Sequence, residues 1–221
     1  MNTDALPGAV RRLLARRRGR RTRFILSKVN TFDGMRVIDI GCGKDGRSFS
    51  DHAPASWQIT GVDILPHERV SHSHPNFTFV RQSAKDLSEF EDGEFDLAVS
   101  IGLFEHFTAP GSFEQAAAEI QRVARQYVLV VPYRYAWIEP HYGVPLFPVL
   151  PYRVKVALVE AFDLSGHREA VRRNQDHIRI KNRWRSNAEY RRAFPEARIY
   201  FTPTFETIAV VKRDDSSAES G

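Results

Sequence analysis

The stretch VIDIGCGKDGRSF, Val37 to Phe49, carries an apolar run with one acid, Asp39, straight into three glycines within six positions, Gly41, Gly43 and Gly46. Read literally, the glycines satisfy G-x-G-x-x-G. That pattern after a strand lets the backbone turn sharply and approach a ligand with no side chain in the way. A helix starting between Gly46 and His52 would add free N–H groups and a positive dipole end for an anion. Three readings are open: a dinucleotide loop, a loop for another nucleotide-like cofactor, or a tight turn without a ligand. Asp63, about 20 residues further on, weighs against the plain turn, because an acid there can hold ribose hydroxyls. It ends QITGVD, Gln58 to Asp63, a second strand pattern.

The acid before the glycines bears on the choice of cofactor. A dinucleotide would bring its pyrophosphate beside Asp39, where like charges repel. S-adenosylmethionine would bring an ammonium and a sulfonium, which a nearby carboxylate attracts. Little chain is left for a separate dehydrogenase substrate domain, and Tyr152 and Lys155 stand one residue too close for Y-x-x-x-K.

Around this loop the chain alternates strands with helices, the pattern of a parallel α/β sheet with right-handed crossovers. Residues 9–30 read as a helix with an imperfect apolar stripe interrupted by arginine. Short strands follow at Met35 to Ile40, at Phe77 to Gln82 (alternating, hence near an edge), at Phe95 to Ile101 and at Tyr127 to Val131, with a helix over 111–125. Ala197 to Phe201 and Thr207 to Lys212 are separated by too few residues for a helical crossover, so they should pair antiparallel. The stretch between Pro132 and Pro151 is rich in aromatics and prolines, as lids and binding loops are. The expected division is a basic helical arm over 1–33, a catalytic domain over 34–213 with a lid over 132–165, and a disordered polar tail over 214–221.

The 221 residues suit one domain, and 42% apolar with 27% charged residues is ordinary for a globular protein. A single cysteine, Cys42, excludes an internal disulfide, and the histidines have no regular metal spacing. His72 and His74 read as part of a polar surface loop. No signal-peptide core and no membrane-spanning run is visible, so a cytoplasmic location is the expectation. Residues 1–23 hold eight arginines against Asp4, a net of +7, which leaves −2 for the rest of a chain whose total is +5. This arm is read as a solvated helix face, as a contact to an anionic membrane surface, or as a sequence-independent nucleic-acid arm.

Taken together, VIDIGCGKDG, ITGVDI, QSAKDLSEFEDGEFDLAVSIGLFEHF, YVLVVPYR and NAEYRRAFPEARIYF resemble the successive motifs of class I S-adenosylmethionine-dependent methyltransferases, in the branch that includes quinone-biosynthesis enzymes. The likeness runs from about Met35 to Lys212. It implies a Rossmann-like, seven-stranded, mostly parallel sheet with an antiparallel last strand and helices on both faces. It also implies S-adenosyl-L-methionine as cofactor. By position it assigns Asp39, Gly41 and Gly43 to the methionine end, Asp63 to the ribose and Ser83 and Ala84 to the adenine, and it counts Cys42, Ile64 and Ser100 among the cofactor-binding residues. Ser83 departs from the usual acid of that motif, and Asp45 from the usual third glycine.

His141 in IEPHYG and His106 in EHF are the candidate general bases, since a hydroxyl acceptor needs its proton removed. No N-P-P-Y motif follows the fourth strand, and the lid is apolar. Both point to a small-molecule or lipid-linked acceptor and away from nucleic acid. A nicotinamide-dependent oxidoreductase and a non-catalytic methyltransferase-like binding protein stand as the other two readings.

Overall fold

In the computed structural model, the described residues are 8–46, 49–135, 144, 146–174, 178, 183–202 and 207–214. Seven strands form one sheet: β1 Arg36–Ile40, β2 Gln58–Asp63, β3 Phe77–Arg81, β4 Phe95–Ile101, β5 Ala124–Pro132, β6 Arg198–Phe201 and β7 Thr207–Lys212. Their order is β3-β2-β1-β4-β5-β7-β6. β1 to β5 pair in parallel, while β7 runs antiparallel to both of its neighbours. β3 is the edge strand its alternation predicts, and β6 and β7 pair as their short separation requires.

Side chains alternate along each central strand, and both faces are covered, so the strands read as nearly continuous apolar runs. Val37, Leu97, Val99, Val128 and Val130 face one layer, where Ile25 of α1 (Gly8–Leu26), Val29, Phe49 and Trp57 pack. Ile38, Ile40, Ala98, Leu129 and Val131 face the other, against Phe113, Ala116, Ala117 and Ile120 of α2 (Ser112–Val123) and Tyr190 of α5 (Asn187–Ala193). A third, smaller core joins Phe147, α3 (Tyr152–Phe162), Val171 of α4 (Arg168–Arg173) and Ile178. The acidic run from Asp86 folds around one cation. Arg122 donates to the carbonyls of Leu87 and Phe90 and to Asp92 and Glu119.

Two local expectations change. The helix read over 9–30 stops at Leu26, where Ser27 Oγ donates back to the Phe24 carbonyl and Lys28 N to Ile25 O. The turn frees Asn30 to bond Gln126 at the foot of β5. The helix expected from Gly46 to His52 is, among the described residues, 3₁₀ and not α, at Gly46 and over Ser50–His52. Its N-cap residue Phe49 makes no side-chain capping bond, and Pro54 follows two residues after it, so no regular α-helical turn is propagated.

Candidate active site

Asp39 and Asp63 stand on the same face of adjacent strands at the carboxyl end of the sheet, which puts them beside one another at the entry to the glycine loop. The loop closes on β2. Gly41 N and Cys42 N both donate to the Val62 carbonyl, at 2.7 and 3.2 Å, and Gly43 N donates to Asp63 Oδ2 at 3.0 Å. Asp63 Oδ1 also accepts from Leu65 N at 3.1 Å. All three N–H groups of the Gly-Cys-Gly turn are therefore occupied by the protein itself. Each carboxylate oxygen of Asp63 retains a lone pair beyond its one backbone bond.

The three glycines have different reasons. Gly41 and Gly43 adopt φ of +76° and +71°, the left-handed region, and a Cβ on Gly41 would meet Leu103 at 3.0 Å. Gly46 serves packing: a Cβ there would lie 2.2 Å from the Asp51 carboxylate. Cys42 turns its buried side chain inward, against Gly61 of β2, and burial pushes its thiol pKa up.

Asp39 is 3% exposed. Burial first, then the charge of Asp63, push its pKa up to about 7, against the opposing pull of Arg21 on α1. Arg21 is itself lowered to about 10, chiefly by burial. Next to Asp63, Ile64 is 70% exposed, an apolar side chain standing in the open at the lip of the cleft. Ser83 and Ala84 follow β3, half-buried, with Ser83 Oγ accepting from Lys85 N. Ser100 at the end of β4 is buried, and its hydroxyl has no partner among the described residues; the same holds for the side-chain carbonyl of Gln82.

After β4 the chain turns at Gly102 into a 3₁₀ turn over Phe104–His106, with Glu105 buried and His106 exposed. His141, with Trp137, Glu139 and Tyr142, lies outside the described residues.

Several residues at the site escape sequence reasoning. His72 does not sit in an open polar loop: it stacks on Phe77 at 3.9 Å, bonds Ser50 Oγ at 2.7 Å and reaches the Gly43 carbonyl. His74 is buried. Arg185 is 3% exposed and clamps the turn after β4, donating to the Phe104 carbonyl at 3.0 Å and to the Phe107 carbonyl, with its guanidinium 3.9 Å from the Phe113 ring centre. Arg183 N donates to Glu105 O at 2.8 Å. Between them, Trp184 packs on Phe147 in the small third core. The only sequence trace of this strap is the tripeptide Arg-Trp-Arg before a capping box, in which Ser186 and Glu189 bond each other's backbone N–H.

Residues 38–131 match the family described as Methyltransferase domain. Over these residues the chain is similar to class I methyltransferase domains. The chain is 30% identical over 94 residues to a ubiquinone biosynthesis O-methyltransferase of Albidiferax ferrireducens, covering 39% of this chain and 37% of that one. It is 29% identical over 104 residues to the cyclopropane-fatty-acyl-phospholipid synthase of Escherichia coli K12, covering 45% and 26%. The match thus spans well under half the length of these relatives. In fold, the chain resembles a SAM-dependent methyltransferase from Aquifex aeolicus, with a TM-score of 0.51, 14% identity, and coverage of 93% of this chain and 97% of that one. S-adenosyl-L-methionine is the cofactor of this family. The methyltransferase domain holds the glycine loop, Asp63, Ser83 and the turn after β4. No group of residues suited to a metal is found among the described residues.

Proposed function

We propose that this chain transfers the methyl group of S-adenosylmethionine to a small-molecule or lipid-linked acceptor. The observation that carries the reading is the self-closed glycine loop. With the N–H groups of Gly41, Cys42 and Gly43 already spent on Val62 and Asp63, and no α-helix among the described residues after the loop, little is left to bind a diphosphate. This argues against a nicotinamide dinucleotide. The residues present fit a nucleoside with a zwitterionic tail. Asp63 takes the ribose hydroxyls, Ile64 lies against the adenine and Ser83 and Ala84 line its edge. Gly41, Cys42 and Gly43 pass their backbone beside the tail, and the buried Ser100 hydroxyl, without a partner among the described residues, bonds it.

When bound, the cofactor supplies a methyl group already activated on a sulfonium, so the chain's task is to hold an acceptor in line and keep water out. Asp39, beneath the loop, favours the cationic end of the cofactor electrostatically. His106, exposed beside the cleft, takes the proton of an oxygen or nitrogen acceptor at an imidazole nitrogen; His141 is the second candidate for that role. Relatives named for ubiquinone biosynthesis and for a fatty-acyl phospholipid, together with the apolar stretch after β5, support an apolar acceptor.

The test has two steps. Calorimetry with S-adenosylhomocysteine and with NADH should give binding to the first alone. Incubation with methyl-labelled S-adenosylmethionine and a cell extract split into lipid and water-soluble fractions should then label an acceptor. Tight binding of NADH without S-adenosylhomocysteine would overturn the reading; binding without transfer to any fraction would leave a non-catalytic binding protein.

A further inference from the structure

On the opposite end of the sheet from the cofactor loop, a cavity of about 340 Å³ opens between the end of α1 and the outer strand β6. β6 lies four strands from β1, about 19 Å at ~4.8 Å per strand. The size is within the ~300–1,000 Å³ of small-ligand sites.

Its walls carry Lys28, Arg198 and Arg213 against a single acid, Glu196. Glu196 is taken by Lys212, at 2.6 Å. Among the described residues no carboxylate pairs with Lys28, Arg198 or Arg213. Two of the cations are held in place by neutral groups instead. The Lys28 ammonium sits 5.1 Å from the Phe24 ring centre and 5.0 Å from that of Tyr200, and Arg213 Nε donates to Asn30 Oδ1 at 2.6 Å. Cation–π contacts and a neutral amide fix position without cancelling charge. Three like charges around one cavity repel each other, and an anion with several acceptor oxygens relieves that repulsion while satisfying their donors.

The cavity also continues a larger feature. Arg12, Arg16, Arg20 and Phe24 stand four residues apart on one row of α1, and the row ends on Lys28. The arginines are exposed, and α1, 19 residues or about 28 Å long, contains no acid. A single-stranded polynucleotide would look for free aromatic faces on which to stack its bases. The ring that lines this cavity, Tyr200, and the neighbouring Phe24 are both engaged by Lys28. A cationic row that ends in one pocket suits an array of phosphates.

We propose that this cavity is a phosphate subsite that takes the headgroup of an anionic phospholipid, with the arginine row of α1 lying on neighbouring headgroups. The site docks the protein on a membrane surface through the start of β6 and the exposed row of α1, and it does not depend on the reaction proposed above.

The experiment is co-sedimentation of the full chain with phosphatidylcholine vesicles with and without phosphatidylglycerol, beside calorimetry with inorganic phosphate. The chain should sediment only with the anionic vesicles. Replacing Lys28, Arg198 and Arg213 together by serine should lower partitioning by more than about tenfold, since each cation near an anionic surface contributes roughly fivefold. The single exposed charge reversal Arg198→Glu should lower it by about tenfold or more and guards against misfolding of the triple variant. S-adenosylhomocysteine binding should persist in both. Partitioning unchanged in both variants overturns the subsite. Phosphate binding lost in the variants, without any vesicle binding in the parent, overturns the lipid source. An RNA oligonucleotide that binds more tightly than the vesicles at equal salt, and is released by the same substitutions, assigns the surface to nucleic acid and overturns the proposal.

Discussion

Asp39 provides the sharpest test of how the cofactor is held. Without cofactor its carboxyl is pushed up to about 7 by burial and by Asp63. The folded state therefore holds a proton that the unfolded chain has already lost, in the window from about pH 4 to about pH 7. Stability of the free protein accordingly falls as pH rises through that window. A cofactor that brings a sulfonium and an ammonium to the loop favours the ionised form, so binding must expel the proton. With a starting pKa of about 7, roughly 0.9 of a proton leaves on binding at about pH 6 and roughly 0.1 at about pH 8, and affinity weakens about tenfold between the higher and the lower pH. Calorimetry in buffers of different ionisation enthalpy reads the released proton directly. Asp39→Asn should abolish the release, flatten the pH dependence and weaken binding, yet raise the melting temperature of the free protein near pH 8, because it removes a buried charge. Proton release that survives in Asp39→Asn, or a melting temperature that drops in that variant, would refute the electrostatic account.

Asp63→Ala removes the proposed ribose acceptor together with the anchors of Gly43 and Leu65, and should weaken S-adenosylhomocysteine binding by at least about tenfold in calorimetry. Gly61→Ala would set a Cβ 2.3 Å from the Phe77 ring, and should cost about 1–3 kcal/mol in chemical denaturation. Pairing it with Phe77→Leu should recover part of that loss, and additive costs would show that the contact is not the cause. Arg185→Ala strands one buried and one part-buried carbonyl and should destabilise by about 3 kcal/mol. Arg185→Lys, which can reach only one of the carbonyls at a time, should recover stability in part but leave acceptor turnover below the parent's.

The sheet was legible because its signals are local. VIDI, QITGVD and FDLAVSI are short apolar runs with turn residues at their ends, and period-two alternation marks Phe77 to Arg81 as an edge. The antiparallel pairing of β6 and β7 followed from the length of the link alone. Around the candidate site only the glycine turn was legible, because there a motif fixes both residue type and spacing, as at Gly41, Gly43 and Asp63. The expected helix after the loop was wrong because G-x-G-x-x-G is satisfied by Gly46 for a different reason, its contact with Asp51, that no local pattern reveals. His72 and Arg185 were invisible for a related reason. Each acts through partners far along the chain, Gly43 at 29 residues and Phe104 at 81, and nothing near either residue announces the other end.

That long-range clamp bears on how an acceptor site is kept in register with the cofactor. Arg183 and Arg185 hold the backbone of Phe104 to Phe107, and Leu103, one residue earlier, closes over Gly41. Trp184, between the two arginines, belongs to the separate small core of Phe147, α3 and α4, where the Lys155 ammonium lies 5.1 Å from its ring centre. Three consecutive residues thus join the small core on one side to the wall of the glycine loop on the other, through backbone carbonyls that cannot shift independently of the chain. A displacement of that small core has to be felt at Leu103 and at the exposed His106. On this argument Trp184→Ala, which leaves every hydrogen bond of the strap in place, should raise the Kd for S-adenosylhomocysteine, although Trp184 touches no residue of the loop. An unchanged Kd in a folded Trp184→Ala protein would mean that the two halves of the site move separately.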